Sequence, residues 1–215
     1  ERSWFVMEWR GNKEDILAAV KRDWKVLSVV SEAMRADRDI VLAAISCDAD
    51  RLWKFSGKAL EFASQSLRDD PKVVFEAVCI SGEALRHASA RLACDRRIVL
   101  QAVSGWGDAL QYASEGLRAD RDVALAAVSS RCTALQWAAE ELRGDCEVVT
   151  RALASECFFS GLALRYASEA LRADKSIVLK AVCKNSDALE FAAAKLRSDR
   201  EVVLAAVSRT GPPQE

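Results

Sequence analysis

The stretch Leu117-Arg-Ala-Asp-Arg-Asp-Val-Ala-Leu-Ala-Ala-Val128 decides the fold, because close copies of it recur along the chain. Each copy contains one aspartate or asparagine, here named the anchor. Successive anchors are separated by 25, 33, 25, 25, 25, 29 and 25 residues. A fixed period of this kind indicates a repeat protein in which each unit buries its apolar face against its neighbours. The anchors are Asn12, Asp37, Asp70, Asp95, Asp120, Asp145, Asp174 and Asp199.

A first helix is predicted to begin after every anchor. Apolar residues follow each anchor by three, four, seven and eight positions, which is helical spacing and not the alternation of a strand. The anchor side chain can accept hydrogen bonds from the free N–H groups of the first turn, as an N-cap does. Pro71, directly after Asp70, suits a first helical position because the missing N–H needs no partner there.

A second helix is predicted to lead back to the next anchor. Leu110, Ala113 and Leu117 fall on one helical stripe, and small pairs such as Ala113-Ser114 would let neighbouring helices approach closely. The predicted fold is therefore an all-α solenoid of tandem helix-turn-helix repeats of about 25 residues, with seven to eight units. The two long intervals are interpreted as extra helical turns at one edge, at residues 46–57 and 155–162.

Three segments follow from this pattern. Residues 12–208 are predicted to form the solenoid, residues 1–11 an apolar cap or docking segment, and residues 209–215 a loose tail.

Composition argues against several classes of protein. Thirty-one basic and 32 acidic residues leave a net charge of −1, whereas a nucleic-acid binder usually carries a basic excess on one face. No apolar run approaches the ~20 residues of a membrane span, although peripheral contact with a membrane complex stays compatible. Seven cysteines without a CxxC pair argue against a disulfide framework and against zinc. They are predicted to be free, small buried hydrophobes in a reducing compartment.

The motif ALxxAS-xx-LRxD-xx-VVLxAV, carried best by Ala109–Val128 and Ala163–Val182, resembles a known repeat family. The family is number 4116 of the domain-of-unknown-function series, and the resemblance runs from Asn12 to Val207. It implies a helical repeat that binds other proteins, found in protists, algae and some intracellular bacteria, and it carries over no active site or ligand. Ala93 in place of Arg, Thr150 in place of Leu, and the degenerate copy after Asn12 depart from the pattern.

Two repeated columns are candidate binding features. Arginines end the second helices and could bind an acidic partner or phosphates; the favoured interpretation is that each closes its helix and pairs with a nearby aspartate.

His87 stands in a column of packing aromatics, and a lone histidine without a carboxylate or cysteine partner makes a poor general base. The arginines are Arg35, Arg68, Arg118, Arg143, Arg172 and Arg197; the other column members are Val29, Phe62, Tyr112, Trp137, Tyr166 and Phe191.

Aromatic residues that break the repeat are the candidate partner-binding residues. They lie in the turns after first helices and are expected along one edge, where large apolar groups mark an interaction surface. The alternative is that each covers the next repeat as a local lid. With two N-terminal tryptophans, the candidates are Trp53, Phe55, Trp106, Phe158, Phe159, Trp4 and Trp9.

The predicted function is a non-catalytic protein-interaction scaffold, because no catalytic or phosphate-binding motif is present. No cofactor or metal is expected, and the expected partners are other proteins of a larger assembly. The start at Glu1 without Met fits either a processed mature chain or a part of a longer one. The more specific expectation is a processed subunit of an organellar complex, for example a photosynthetic, energy-converting one in a chloroplast. The alternatives are a bacterial effector module that binds a host protein, an RNA-reading repeat, and an enzyme with a pocket of converging titratable groups.

The edge hypothesis predicts that Trp53→Ala combined with Phe158→Ala weakens association with the partner without unfolding the repeats. Pull-down yield together with thermal unfolding measures both effects, and unchanged binding would remove the hypothesis.

Overall fold

The computed structural model describes residues 12–49, 57–155 and 160–208. Every regular element in these ranges is a helix, and the predicted all-α repeat solenoid is confirmed. The chain divides into two compact units, Glu1–Gly105 and Trp106–Glu215. The predicted cap at 1–11 and the predicted tail after residue 208 lie outside the described residues.

In the first unit, the longer helices pack on one another in chain order, α1 on α3, α3 on α5 and α5 on α6. The α-helices are α1 (Lys13–Val20), α2 (Glu32–Arg35), α3 (Arg38–Ala49), α4 (Gln65–Arg68), α5 (Pro71–Ile80) and α6 (Arg96–Gly105). Between them lie 3₁₀ helices at Trp24–Ser28, Lys58–Phe62, Gly82–His87 and Leu92–Cys94.

The second unit repeats this arrangement, with α8 on α10, α10 on α12 and α12 on α14. Its α-helices are α7 (Glu115–Arg118), α8 (Arg121–Ser130), α9 (Glu140–Arg143), α10 (Cys146–Ala154), α11 (Glu169–Arg172), α12 (Lys175–Lys184), α13 (Ala194–Arg197) and α14 (Arg200–Val207). Its 3₁₀ helices are Gly107–Tyr112, Cys132–Trp137, Ser160–Tyr166 and Ser186–Phe191.

The predicted first helices are confirmed, and each begins at its anchor. Asp120 Oδ1 accepts from the backbone N–H groups of Asp122 and Val123 at 3.0 and 3.1 Å, so it caps α8. The residues three, four, seven and eight positions after this anchor are fully buried. The anchors thus set both the start of each helix and the face that it buries. The first helices are α1, α3, α5, α6, α8, α10, α12 and α14.

The prediction of one continuous second helix is wrong. In most repeats a 3₁₀ helix is followed by extended backbone at the small pair and then by a single α-helical turn, as at Gly107–Tyr112, Ala113-Ser114 and Glu115–Arg118. After Ala88-Ser89 the last turn, Leu92–Cys94, is itself a 3₁₀ helix. Ala113 and Ser114 have ψ angles of 155° and 158°. Serine favours this break because its hydroxyl can cap the next turn, and Ser64 Oγ accepts from Leu67 N at 3.4 Å.

In five repeats the extended pair is hydrogen-bonded to the preceding repeat. Its second residue donates its backbone N–H to the carbonyl of the arginine one repeat earlier, at 2.9–3.0 Å. A continuous helix would have used that N–H internally, so the break provides the bond between repeats. The donor and acceptor pairs are Ser64 to Arg35, Ser89 to Arg68, Ala139 to Arg118, Ser168 to Arg143, and Ala193 to Arg172.

The cysteines correct a second prediction. Cys132 is buried but disulfide-bonded, and Cys157 lies outside the described residues. The exposed cysteines do not occupy the third, fourth, seventh or eighth position after an anchor, which are the buried positions of a first helix. They therefore do not act as the predicted buried hydrophobes. Cys47 is half-buried, and the exposed ones are Cys79, Cys94, Cys146 and Cys183.

The longer interval after Asp37 extends α3 to 12 residues, against 10 in α5. The rest of that addition, at 50–56, lies outside the described residues, as do residues 156–159 of the shorter addition.

We predict that Asp174→Ala lowers the free energy of unfolding by about 1 kcal/mol, the usual cost of losing an N-cap. Asp174 Oδ1 accepts from the N–H groups of Ser176 and Ile177, which would lose this partner. Urea denaturation followed by circular dichroism measures the change. Asp174→Asn is the matched control and should keep most of the stability, since asparagine caps as well as aspartate. Equal losses in both variants would contradict the capping role.

Candidate functional site: a groove between three first helices

A repeated ion-pair cluster joins the starts of neighbouring first helices. Arg121, the first residue of α8, contacts the next anchor Asp145 at 3.0 Å and the second residue of α10, Glu147, at 2.5 Å. The same arrangement recurs with lysine as the cation. Lys13 contacts Asp37 and Asp39, both at 2.8 Å, and Lys175 contacts Asp199 at 2.9 Å and Glu201 at 2.8 Å.

These contacts shift the titration of the anchors. The hydrogen bond from Arg121 holds the pKa of Asp145 below its usual value, and Lys13 and Lys175 do the same for Asp37 and Asp199. Burial acts in the opposite direction at each anchor and is outweighed. The anchor carboxylates are therefore stabilised in their charged form.

The cluster is interrupted between α3, α5 and α6. At the second position of these later helices, Lys72 and Arg97 stand where Asp39, Glu147 and Glu201 stand elsewhere. In the regular repeat, the first residue of one first helix pairs with an acidic second residue of the next. For Arg38, the first residue of α3, that second residue is Lys72. Within residues 12–49, 57–155 and 160–208, no ion pair involves the side chain of Arg38, Lys72 or Arg97.

A groove of about 610 Å³ lies at this interruption, within the first unit. Its wall toward the ends of α3 and α5 is apolar and includes Ile80, which is 36% exposed. Its opposite end is formed by first-turn residues, including Arg38, Lys72 and Arg97, which have no ion pair among the described residues. The apolar residues are Leu42, Ile45, Pro71, Phe75, Ile80 and Ile98; the polar ones are Arg38, Ser46, Lys72, Glu76, Asp95 and Arg97.

The comparison with protein families now gives the identity of the repeats. The family model described as "Domain of unknown function (DUF4116)" matches residues 12–53, 54–93, 95–143, 145–197 and 174–212. The chain belongs to this family. The predicted resemblance is thereby confirmed over nearly the whole DUF4116 chain. Comparisons with curated proteins and with solved structures gave no match.

The arginine column of the DUF4116 repeats packs differently from the prediction. Each arginine ends its short helix, as expected, but in the described part of the chain none forms an ion pair with an aspartate. Arg118 lies 3.9 Å from Glu115 in its own helix, and Arg68 donates to Gln65 at 3.4 Å. The Nε atom is buried without a hydrogen-bond partner in Arg35, Arg68, Arg118, Arg143 and Arg172, whereas Arg197 is exposed.

The ring-bearing members of the His87 column are half-buried, as predicted for packing residues, whereas Val29 of the same column is 42% exposed. His87 is half-buried, and burial lowers its pKa, so its ring is held neutral. The ring centroids of Trp24 and Phe62 are 6.0 Å apart. Arg165 lies over the rings of Tyr166 and Phe191 at 5.9 and 5.7 Å, a cation–π geometry.

Of the predicted partner-binding residues, only Trp106 lies in the described part of the chain. It is half-buried, and its ring centroid is 6.3 Å from that of Tyr112. The others, Trp4, Trp9, Trp53, Phe55, Phe158 and Phe159, lie outside it, so the aromatic edge stays a prediction.

The groove is the feature that sequence reasoning missed. Its signal was present as Lys72 and Arg97 at a position that is acidic in most repeats. The described ranges contain no cluster of three histidine, cysteine, aspartate or glutamate side chains that could hold a metal ion. None of their helices combines the length and the apolar character needed to cross a membrane.

We predict that Arg121→Gln reduces the acid sensitivity of folding. An aspartate with a lowered folded pKa stabilises the protein above its unfolded pKa of about 3.9, and this contribution is lost as pH falls through the lower folded pKa. Without Arg121 the pKa of Asp145 is lowered less, so protonation of Asp145 removes less of the free energy of unfolding. Urea denaturation between about pH 5 and pH 2 measures the slope, with the exposed Arg151→Gln as control. Parallel pH curves for wild type and Arg121→Gln would contradict the assignment.

Proposed function

We propose that this DUF4116 chain is a non-catalytic protein-binding module, and that the groove between α3, α5 and α6 is its principal binding surface. The observation that carries the proposal is the coincidence, in one concavity, of an apolar wall with three cations that have no ion pair in the described part of the chain. Ligand sites are typically concave and mostly apolar, with a few polar groups that orient the ligand. By contrast, Arg121 and Lys175 each form ion pairs with two acidic residues of the next repeat. Their charges are therefore already neutralised within the chain.

The apolar part of the groove would supply most of the binding free energy. Leu42 and Phe75 occupy the same position of α3 and α5, five residues after their anchors. Both are half-buried and line the groove, so part of each side chain stays in contact with solvent until a partner covers it. Burial of that area stabilises a complex by roughly 25 cal/mol per Å² before the costs of association.

In its more specific form, the proposal makes the chain an accessory subunit of a larger assembly. The organellar version, with a membrane-associated energy-converting complex of a microalga as the assembly, is supported by the family resemblance. The alternative is a bacterial effector module that binds a host protein through the same surface. Fractionation of the source cells separates the two, since a subunit would co-purify with a fixed set of endogenous proteins.

We predict that Leu42→Thr combined with Phe75→Thr lowers partner affinity about ten-fold or more, as loss of buried interface anchors does. Threonine is compatible with the repeat because Thr150 occupies the same position of α10. Pull-down of the tagged chain from native extract, quantified by mass spectrometry, measures the loss.

The matched control is Leu125→Thr combined with Leu179→Thr. These leucines occupy the same helical position in α8 and α12 and are also half-buried. The proposal requires that this control keep the partners that the groove variant loses. Equal retention by both variants, or equal loss, would contradict the groove as the binding surface.

A further inference from the structure

The unpaired cations of the groove also indicate the chemistry of its occupant. We propose that the groove binds an acidic amphipathic segment of a partner protein, with apolar side chains against the wall and carboxylates against the basic end. This inference rests on the proposed function and specifies its partner. Three features of the groove support it: the local charge pattern of its helices, the net charge of its lining, and its size.

The charge pattern is a local exception to the repeat. At the second position of the first helices, acidic residues stand in α1, α3, α8, α10 and α14, and Ser176 stands in α12. Only α5 and α6 carry cations there, whereas the first-position cation is missing in both α5 and α10, which begin with Pro71 and Cys146. The two second-position cations fall on adjacent helices that line one groove. Two acidic residues of the regular repeat are therefore replaced by Lys72 and Arg97 at the groove.

The lining carries three cations and two carboxylates, so its net charge is +1. The Asp95 carboxylate accepts from the N–H groups of Arg97 and Ile98 and caps α6. Glu76 lies one turn after Lys72 and has no ion pair in the described part of the chain. The side-chain donors of Arg38, Lys72 and Arg97 are therefore available to an acidic ligand, and Glu76 would repel a second carboxylate placed over the apolar wall. An occupant should carry its charge at one end and not along its whole length.

The size of the groove suits a short segment. A volume of about 610 Å³ falls in the range of ligand pockets, roughly 300–1,000 Å³, and admits a few side chains of a peptide. Guanidinium groups bind carboxylates in bidentate geometry. A segment that presents two or three apolar side chains beside a cluster of carboxylates therefore matches both ends of the groove.

Three fluorescein-labelled amphipathic peptides of equal length and equal leucine pattern test the inference, with glutamate, glutamine or lysine at the polar positions. Fluorescence anisotropy should give the tightest binding for the glutamate peptide, and added salt should weaken that binding because exposed charges are screened. Lys72→Asp combined with Arg97→Asp restores the regular charge pattern of the repeat and should therefore leave folding intact. This variant should bind the glutamate peptide at least about ten-fold more weakly.

Ser176→Asp is the matched control, since it adds an acid at the same helical position of α12, away from the groove, and should leave peptide binding unchanged. Equal affinity for the three peptides, or no binding by any of them, overturns the inference. Retention of anionic phosphatidylserine vesicles by wild type in place of the peptide overturns it too. Loss of native partners in the Leu42/Phe75 variant, with no effect of the charge variant, would leave the proposed function standing and remove only the acidic segment.

Discussion

The anchor aspartate is the residue on which the rest of the structure depends, because one side chain and its backbone join three elements. Asp145 donates its N–H to the carbonyl of Leu142 and so ends α9. Its Oδ1 accepts from Glu147 N and Val148 N and begins α10, while its Oδ2 accepts from Arg121 of the preceding repeat at 3.0 Å. The turn, the start of the helix and the contact with the neighbouring repeat are thereby set at one position, which explains why aspartate recurs there.

A fold built from such local bonds tolerates change in one repeat without disturbing the others, because each repeat contacts mainly its neighbours. At position 72 a lysine stands where most repeats have an acid, so one ion pair of the regular repeat is missing. Exposed ion pairs contribute little to stability, so this change lowers the free energy of unfolding only slightly. It nevertheless changes the surface, since it leaves Arg38 without its regular partner. Departures from the repeat are therefore the natural place for function in this chain, whereas the recurring residues serve packing.

Sequence reasoning predicted the first helices and their caps because helical spacing and N-cap chemistry are local properties. It failed at Ala113-Ser114, where the serine was interpreted as a small packing residue although serine equally favours the start of a new helix. It also failed for Arg118, which lies 3.9 Å from Glu115 of its own helix and forms no ion pair with an aspartate in the described residues, while its Nε atom is buried. Prediction of the groove from the sequence would have required one further fact. In the regular repeat, the first residue of a first helix forms an ion pair with the second residue of the next first helix. Given that fact, Lys72 and Arg97 would have indicated the groove.

The central claim is that partner binding covers the interrupted part of the first-helix surface. Amide hydrogen exchange of the chain, free and in complex with its co-purified partner, tests it most directly. The account predicts added protection in α3, α5 and α6, concentrated at the ends that line the groove, with α8, α10 and α12 unchanged. Protection confined to α8–α12, or to the turn at Trp106 with the groove helices unchanged, would contradict it.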